Sequence, residues 1–366
     1  MTRPTRVVIA GGGTGGHLYP GLAVARALQE LEPGCVVTFA GTSRGLEARV
    51  VPREGFELDT IRSAGLKGKS WWDVVRGWLL LPLSAWDAWR VVTRRHPDVV
   101  VGVGGYSSGP LVGCAALRRI RTLVLEQNAV PGLTNRLLAG VVDAAAVTFE
   151  STSRYFGGRA FVSGNPVRQS FWRTAVEAPV DAAAPGGRVL VFGGSQGARA
   201  VNRAVVDALP LLARRVPPPH VTHQTGEADL ADVRRAYERS ALPSRVDAFM
   251  HDLDDEMARA DVVVCRAGAT TLAEVAAAGR AAILIPLPTA TDDHQRRNAS
   301  VLAEADAAVL LDERDLTGAS LATVVGSLLD DTTRRLTLAA NVRGFAKPDA
   351  AAVVAARVLE LAGSAA

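Results

Sequence analysis

Arg6-Val7-Val8-Ile9-Ala10-Gly11-Gly12-Gly13-Thr14-Gly15-Gly16-His17 opens the chain, and Arg188-Val189-Leu190-Val191-Phe192-Gly193-Gly194-Ser195-Gln196-Gly197-Ala198 repeats the plan in its second half. Each stretch is a short, continuous apolar run that feeds a glycine-rich turn and then an Ala-rich amphipathic segment. A strand without polar alternation is buried on both faces, as in a parallel sheet covered by helices. More such runs follow in each half: Val36 to Ala40, Val99 to Val103 and Leu123 to Leu125, then Asp261 to Cys265 and Ala282 to Ile285. Strands alternating with helical segments, begun twice, predict an α/β protein of two doubly wound, Rossmann-like domains. The boundary is placed near Gly164-Asn165-Pro166, giving domains over residues 1–165 and 166–347, with a terminal Ala/Val/Leu helix beyond Pro348. Pro217-Pro218-Pro219 reads as a rigid surface loop.

Composition agrees with two domains: 366 residues, 48% of them hydrophobic and 21% charged. The net charge of +4 favours anionic partners such as phosphates or acidic lipids, and is too diffuse to argue for nucleic acid. Cys35, Cys114 and Cys265 are far apart and lack metal-type spacing, so they read as small buried apolar residues in a reducing compartment. The apolar start is too short and too rich in glycine for a signal peptide, and no run approaches the ~18 apolar residues of a membrane span.

Gly11, Gly13 and Gly16 fit the G-x-G-x-x-G pattern, in which glycines let the backbone approach a phosphate at a helix N-terminus. A dinucleotide site also needs an acid at the end of the second strand to hold a ribose. Here Val36 to Ala40 runs into Gly41-Thr42-Ser43, so that acid is missing. Tight strand–helix packing without a ligand would explain one glycine turn, and explains two equivalent ones less well. Ligands bind at the carboxyl ends of strands in such sheets, and two-domain transferases of nucleotide sugars place two such edges on one cleft.

The residues then resemble the MurG family, the UDP-GlcNAc:lipid-linked muramyl-pentapeptide transferases of bacterial peptidoglycan synthesis. The resemblance rests on Gly12-Gly13-Thr14-Gly15-Gly16-His17 with Pro20-Gly21-Leu22-Ala23, Gly104-Gly105-Tyr106-Ser107-Ser108-Gly109-Pro110, and Glu126-Gln127-Asn128 with Gly132-Leu133-Thr134-Asn135. It continues through Gly164-Asn165-Pro166-Val167-Arg168, Gly193 to Ala198, Arg266-Ala267-Gly268-Ala269 with Glu274, and Asp293-His294-Gln295 with Asn298-Ala299. Nearly the whole chain is covered. The resemblance implies the GT-B glycosyltransferase fold, inversion at the sugar's anomeric carbon, no metal and no cofactor. It implies a terminal helix, residues 348–366, that packs back on the first domain. It also implies a peripheral location on the cytoplasmic face of the cell membrane, with room for other cell-wall synthesis proteins as partners. Ala267, Thr270 and His294 depart from residues found in some members, which bears on fine specificity rather than on the reaction.

Inverting transfer needs a base for the acceptor hydroxyl and stabilisation of the departing UDP. His17, just inside a helix start, suits proton transfer because imidazole titrates near neutrality, at about pH 6.5. Glu126, at a strand's carboxyl end, is the other candidate, either as the base or as a group orienting His17 or the acceptor. Thr14, Gly15, Gly16 and Asn128 are expected to contact substrate. Leaving-group stabilisation falls to Ser195 with its neighbouring N–H groups, helped by Arg168. By the family match, Met250 meets the uracil, Ala269, Thr270 and Thr271 open the helix that carries Glu274 to the ribose, and His294 and Gln295 read the sugar hydroxyls. Asp252-Leu253-Asp254 has the D-x-D form of a metal site, but the helix that follows makes acidic N-capping the better account. His220 and His223 look incidental.

Five of the six tryptophans fall in one segment: Trp71, Trp72, Trp78, Trp86 and Trp89. Trp71, Val75, Trp78, Pro82, Trp86 and Trp89 form a stripe at helical spacing, flanked by Lys67, Lys69, Arg76, Arg90, Arg94 and Arg95. Pro82 is expected to kink or divide that helix. Indole with flanking cations is the composition of an interfacial helix, here docking on an anionic membrane surface; a core helix is the rival reading. Rival functions are a UDP-GlcNAc 2-epimerase, a transferase to another lipid acceptor, and a nucleotide-sugar-binding scaffold without activity.

Overall fold

A computed structural model describes residues 3–43, 45–63, 71–172, 185–194 and 196–363, with the backbone alone for 71–81. The chain divides into two compact units, Met1–Arg168 with Lys347–Ala366, and Gln169–Ala346.

The first unit is built on seven strands: β1 (Arg6–Gly11), β2 (Val36–Gly41), β3 (Glu57–Thr60), β4 (Val99–Gly104), β5 (Arg121–Glu126), β6 (Ala144–Val147) and β7 (Ala160–Val162). Their order is β3-β2-β1-β4-β5-β6-β7 and every pairing is parallel. The apolar runs are explained by their two buried faces. Val7 and Ile9 join a core with α1 (Gly15–Leu31), whereas Val8 and Ala10, one residue out of phase, join the core beneath α3 (Trp71–Arg95) and α4 (Ser108–Leu117). The terminal helix, Ala350–Gly363, lies against α1, β4 and β5, and Val354, Ala355, Val358 and Leu361 complete the first of those cores. Fully burying a Val or Leu side chain is worth roughly 1.5–3 kcal/mol, so Val354, Val358 and Leu361 hold this helix on the unit. Pro82 does not divide α3. It lies on the exposed side, where water can meet the carbonyl that its missing N–H leaves, and the helix runs unbroken for 25 residues.

The second unit repeats the scheme with β8 (Arg188–Phe192), β9 (His220–Gln224), β10 (Ser244–Asp247), β11 (Val262–Cys265), β12 (Ala281–Leu284) and β13 (Val309–Leu310), ordered β10-β9-β8-β11-β12-β13 and again parallel. No helix among the described residues is long and apolar enough to cross a membrane. Cys35, Cys114 and Cys265 are free and buried.

His223, on β9, belongs to no nucleophile set but has a structural part. It is fully buried, with Nε2 3.1 Å from Asn202 Oδ1 and Nδ1 3.3 Å from the Tyr237 hydroxyl. A neutral ring that donates from Nε2 and accepts at Nδ1 satisfies both partners. Asn202 in turn donates to the Thr225 carbonyl at 2.9 Å and to Asp229 at 2.8 Å, so the imidazole braces the edge of the sheet next to the second glycine turn. A cation is costly there, and burial pushes the His223 pKa down from the usual 6.5 to about 3. The unfolded chain takes up a proton below its own pKa that the folded one refuses. The contribution is therefore whole above pH 6.5 and is lost on acidification toward pH 3, at about 1.4 kcal/mol per pH unit. Urea unfolding between pH 7 and 5 should show a shallower pH slope for His223→Gln than for the native chain; equal slopes would mean that the ring is not buried neutral.

Candidate active site

In the first unit the sheet order reverses between β1 and β4, the switch point at which chain leaves in opposite directions and opens a crevice. The two strands run in register to Ala10 and shift at Gly11, which faces Gly104. Gly11, Gly12 and Gly13 follow with φ of 152°, 148° and 83°, values that a side chain rarely permits. A Cβ on Gly12 would lie 2.4 Å from the Glu47 carboxyl carbon. Glu47 opens α2 (Glu47–Arg53) and is fully buried. Its carboxylate accepts from Gly13 N at 2.8 Å, Thr42 N at 2.8 Å and the Thr42 hydroxyl at 2.7 Å. Burial acts to raise its pKa, but these hydrogen bonds outweigh it and hold the pKa below the usual carboxylate value. The sequence hid this residue. The acid sought at the end of β2 is absent, and Glu47, a few residues on, turns to the glycine loop instead.

His17 stands in the first turn of α1. Thr14 Oγ1 is 3.3 Å from its Nδ1, and the Thr14 carbonyl accepts from His17 N and Leu18 N at 3.3 and 3.2 Å. The ring lies against the backbone of Gly104, where a Cβ would fall 2.7 Å from His17 Cδ2 and 2.9 Å from Nε2. Gly15 and Gly16 start the same helix, half-buried. Two residues beyond His17, the Tyr19 ring lies 5.3 Å from the Arg168 guanidinium, so Arg168 is held over an aromatic face of this unit.

Glu126 ends β5 and is buried. One carboxylate oxygen accepts from Asn128 N and Asn128 Nδ2 at 3.0 and 3.1 Å; the other accepts from Gly132 N and Asn135 Nδ2 at 3.1 and 2.9 Å. Burial raises its pKa despite these four donors. Its oxygens are turned into the loop that Asn128 begins and Asn135 closes. Asn128 is thereby fixed through both its backbone and its side chain.

In the second unit the switch point lies between β8 and β11. The turn after β8 leads into α6 (Arg199–Leu212); Ser195 lies outside the described residues. Gln224, at the end of β9, ties this edge together. Its Nε2 donates to the Gly194 carbonyl at 3.0 Å and its Oε1 accepts from Met250 N at 2.8 Å. Met250 therefore has its carbonyl, not its N–H, to offer a base. Past β11, Ala269, Thr270 and Thr271 open α9 (Ala269–Ala278), and Glu274, one turn beyond Thr270, is buried rather than set on a solvated face. Arg266 donates to the carbonyls of Ile285 and Pro286, both at 3.2 Å, and pairs with Glu313 at 2.6 Å, which fixes the segment after β12. Leu287 N in that segment donates to Gln295 Oε1 at 3.0 Å, leaving the Gln295 amide N–H groups as the donors it can present. Asp292 and Asp293 both have left-handed backbones, at φ of 55° and 54°, and start α10 (His294–Glu304). His294 Nδ1 lies 2.7 Å from the Thr291 carbonyl, so it carries the proton and Nε2 is the acceptor. Met250, Thr270, Thr271, Glu274, His294 and Gln295 thus all belong to the carboxyl edge of one sheet.

Asp252 precedes α8 (Leu253–Arg259), but its side chain makes no cap hydrogen bond. It pairs with Arg245 at 2.7 and 3.0 Å, and that pairing, above all its hydrogen bonds, lowers its pKa. The Asp252 carboxylate is thus engaged by Arg245 rather than by the helix N–H groups, while Asp254, Asp255 and Glu256 fill the first turn of α8. In the first unit an apolar surface stands out. Trp86 on α3 is 66% exposed, Leu117 at the end of α4 is 85% exposed, and Leu137 on α5 (Leu133–Leu138) is 72% exposed. Leu83, Trp89 and Val141 are exposed too, and the Arg118 guanidinium lies 4.7 Å from the Trp89 ring. α3 packs on α4 and α4 on α5, so these residues belong to adjoining helices. Leu117, Leu137 and Val141 carry no sequence signal of their own. The side chains of Trp71, Trp72, Val75 and Trp78, and all of Lys67 and Lys69, lie outside the described residues.

Residues 7–147 match the glycosyltransferase family 28 N-terminal domain, and residues 188–354 match the glycosyltransferase family 28 C-terminal domain. A protein of Anaeromyxobacter sp. (strain Fw109-5) is 46% identical over 357 residues, 97% of this chain and 93% of its own length. It bears the name UDP-N-acetylglucosamine--N-acetylmuramyl-(pentapeptide) pyrophosphoryl-undecaprenol N-acetylglucosamine transferase. A protein of the same name from Pelobacter propionicus is 43% identical, covering 97% of this chain and 99% of its own. The crystal structure of Acinetobacter baumannii MurG aligns with a TM-score of 0.80 at 30% identity, over 98% of this chain and 100% of that one. A UDP-GlcNAc 2-epimerase from Neisseria meningitidis shares the fold alone, with a TM-score of 0.71 at 11% identity over 97% of this chain and 100% of that one.

The second glycine turn allows a contrast within one loop. A Cβ on Gly197 (φ 73°) would lie 1.9 Å from the Thr225 carbonyl oxygen, whereas one on Gly194 (φ 90°) meets nothing within 4 Å. Gly194→Ala should cost only the backbone strain of about 1–2 kcal/mol, and Gly197→Ala clearly more, because main chain must move. Urea denaturation measures both; equal losses would contradict the close approach.

Proposed function

The chain belongs to the MurG family within glycosyltransferase family 28, and from that membership we propose how its two units divide one reaction. It is a hexosyltransferase of the GT-B fold that moves N-acetylglucosamine from UDP-GlcNAc to the lipid-linked muramyl pentapeptide. The product is the disaccharide-bearing lipid precursor of peptidoglycan. The observation that carries the division of labour is the unlike state of the two glycine turns. The first is closed by the chain's own Glu47 carboxylate and adjoins His17. The second lies on the sheet edge that collects Met250, Glu274 and Gln295.

The second unit is the donor site in this reading. The Met250 carbonyl accepts from the uracil N–H, and Glu274 accepts from the ribose hydroxyls. Ala269, Thr270 and Thr271 line the same helix start, and His294 Nε2 and the Gln295 amide meet the sugar hydroxyls. The turn that leads into α6, with Ser195 in its sequence, is assigned to the negative charge that grows on the UDP oxygen as its bond to the anomeric carbon breaks. Arg168 is assigned to phosphate oxygens, its guanidinium steadied by Tyr19.

The first unit serves the acceptor. The acceptor hydroxyl oxygen attacks the anomeric carbon from the face opposite UDP, which inverts that centre, and its proton passes to His17 Nε2. This requires the tautomer with hydrogen on Nδ1, where the Thr14 hydroxyl oxygen lies at 3.3 Å to accept it. Glu126 is the poorer base, since each of its oxygens already takes two hydrogen bonds from its own loop. It holds Asn128 toward the acceptor instead. No step calls for a metal, and the one D-x-D motif has its first carboxylate engaged by Arg245. The direct test incubates the purified protein with UDP-GlcNAc and lipid-linked muramyl pentapeptide in EDTA. Disaccharide lipid with the β configuration and stoichiometric UDP is expected. Retained configuration, or turnover restored only by a divalent ion, would contradict the mechanism.

An acceptor whose lipid stays in the bilayer brings the enzyme to a membrane surface, here the cytoplasmic face. The exposed Leu83, Trp86, Trp89, Leu117 and Leu137, with Arg90, Arg118 and Arg136, form the docking face in this reading. Half-burying one Trp removes about 100 Å² from water, worth about 2.5 kcal/mol, and each nearby cation adds about 1 kcal/mol on an anionic leaflet. Two or three such side chains suffice for reversible docking. Wild-type protein should co-sediment with anionic vesicles, and a folded Trp86→Ser/Leu137→Ser variant should stay largely in solution; undiminished binding of the variant would reject this face.

A further inference from the structure

Glu47 has no part in the donor site and does not reach His17 directly, yet three glycines are shaped around it. A Cβ would fall 2.4 Å from its carboxyl carbon at Gly12, 2.6 Å from its Cγ at Gly41 and 2.1 Å from its Oε2 at Gly45. A fully buried carboxylate is costly unless donors surround it, and here they do so from two separate loops. Thr42 N and the Thr42 hydroxyl meet Oε1, and Gly13 N meets Oε2. The Thr42 hydroxyl oxygen itself accepts from Gly45 N at 3.1 Å, so the clamp is closed on both sides. The loop gripped at Gly13 leads directly to Thr14, whose carbonyl starts α1 and whose hydroxyl lies against His17 Nδ1.

We propose that Glu47 is a positioning residue for proton transfer: its carboxylate stands as an internal anion in the glycine loop and fixes Thr14, and through it the orientation of the His17 imidazole. The proposal rests on His17 as the base. It makes the first glycine turn a mount for the base that needs no substrate phosphate to hold its shape. Charge is essential to the device. In Glu47→Gln the side chain keeps its size, but its amide has one acceptor end. Gly13 N–H and Thr42 N–H approach different oxygens and neither can reverse, so in either orientation one backbone N–H faces an N–H. A clamp that only filled space would tolerate that exchange.

The test is a double-mutant cycle on turnover at saturating UDP-GlcNAc and acceptor, with His17→Ala, Glu47→Gln and the pair. His17→Ala should lower kcat by about 10²–10⁴. Glu47→Gln should lower it roughly tenfold or more in the native background and less than about twofold in the His17→Ala background. Wild-type turnover of Glu47→Gln, or effects that multiply fully in the pair, would overturn the proposal. Wild-type turnover of His17→Ala alone would remove the base assignment first and the proposal with it, a result read before the cycle is assembled. Should Glu47→Gln fail to fold by circular dichroism, Thr14→Val removes the hydroxyl beside Nδ1 without touching the clamp. The same lack of additivity with His17→Ala is then expected, and full multiplication overturns the link.

Discussion

A backbone N–H confined in a tight glycine turn must be met by an acceptor, and much of this molecule's division of labour follows from how that demand is answered. Two parallel sheets deliver two such turns at their switch points. In the first, a buried carboxylate from the chain itself meets Gly13 N. In the second, no carboxylate among the described residues accepts from the turn, and the neighbouring polar groups gather along the same sheet edge. One turn is thereby closed by the chain itself, and the other is the one assigned above to the donor.

Two buried glutamates of the first unit show how like residues part in role. Both are surrounded by N–H donors. At Glu47 the hydrogen bonds prevail over burial and the pKa falls, so the carboxylate stays charged as the clamp requires. At Glu126 burial prevails and the pKa rises. A raised carboxyl pKa often marks an acid–base group, yet here the geometry decides the matter, because both oxygens point into the loop that carries Asn128. His17 is left as the group whose ring stands at the switch point itself, against a glycine whose missing side chain makes the space.

The strands were legible in the sequence because burial on both faces writes itself as an unbroken apolar run; Val7 to Ala10 and Val189 to Phe192 need no context to be read. The polar residues along the second sheet's carboxyl edge were legible through their motifs, and the exposed Leu117 and Leu137 were not, because exposure depends on which helices become neighbours. Glu47 escaped for a related reason. Its role is defined by Gly12, Gly41 and Gly45 converging from separate loops, and no spacing rule connects them. The structural part of His223 was not legible, because a lone histidine on a strand looks the same whether exposed or enclosed, and only Asn202 and Tyr237, from two helices, show that it is enclosed. Acids do fill the first turn of α8, as their sequence suggests, but the Asp252 side chain itself goes to Arg245 on a strand of the same sheet.

The central claim is that the uridine and sugar of UDP-GlcNAc are held by the sheet edge of the second unit and not by the first glycine turn, although both units carry such a turn. Calorimetric titration of UDP into Glu274→Ala and into Glu47→Gln, both folded, tests it most directly. Loss of a charged hydrogen bond of about 1.5–3 kcal/mol should weaken UDP roughly ten- to hundredfold in Glu274→Ala, with native affinity in Glu47→Gln. Native affinity in Glu274→Ala together with weakened binding in Glu47→Gln would place the nucleotide on the first turn and contradict the account.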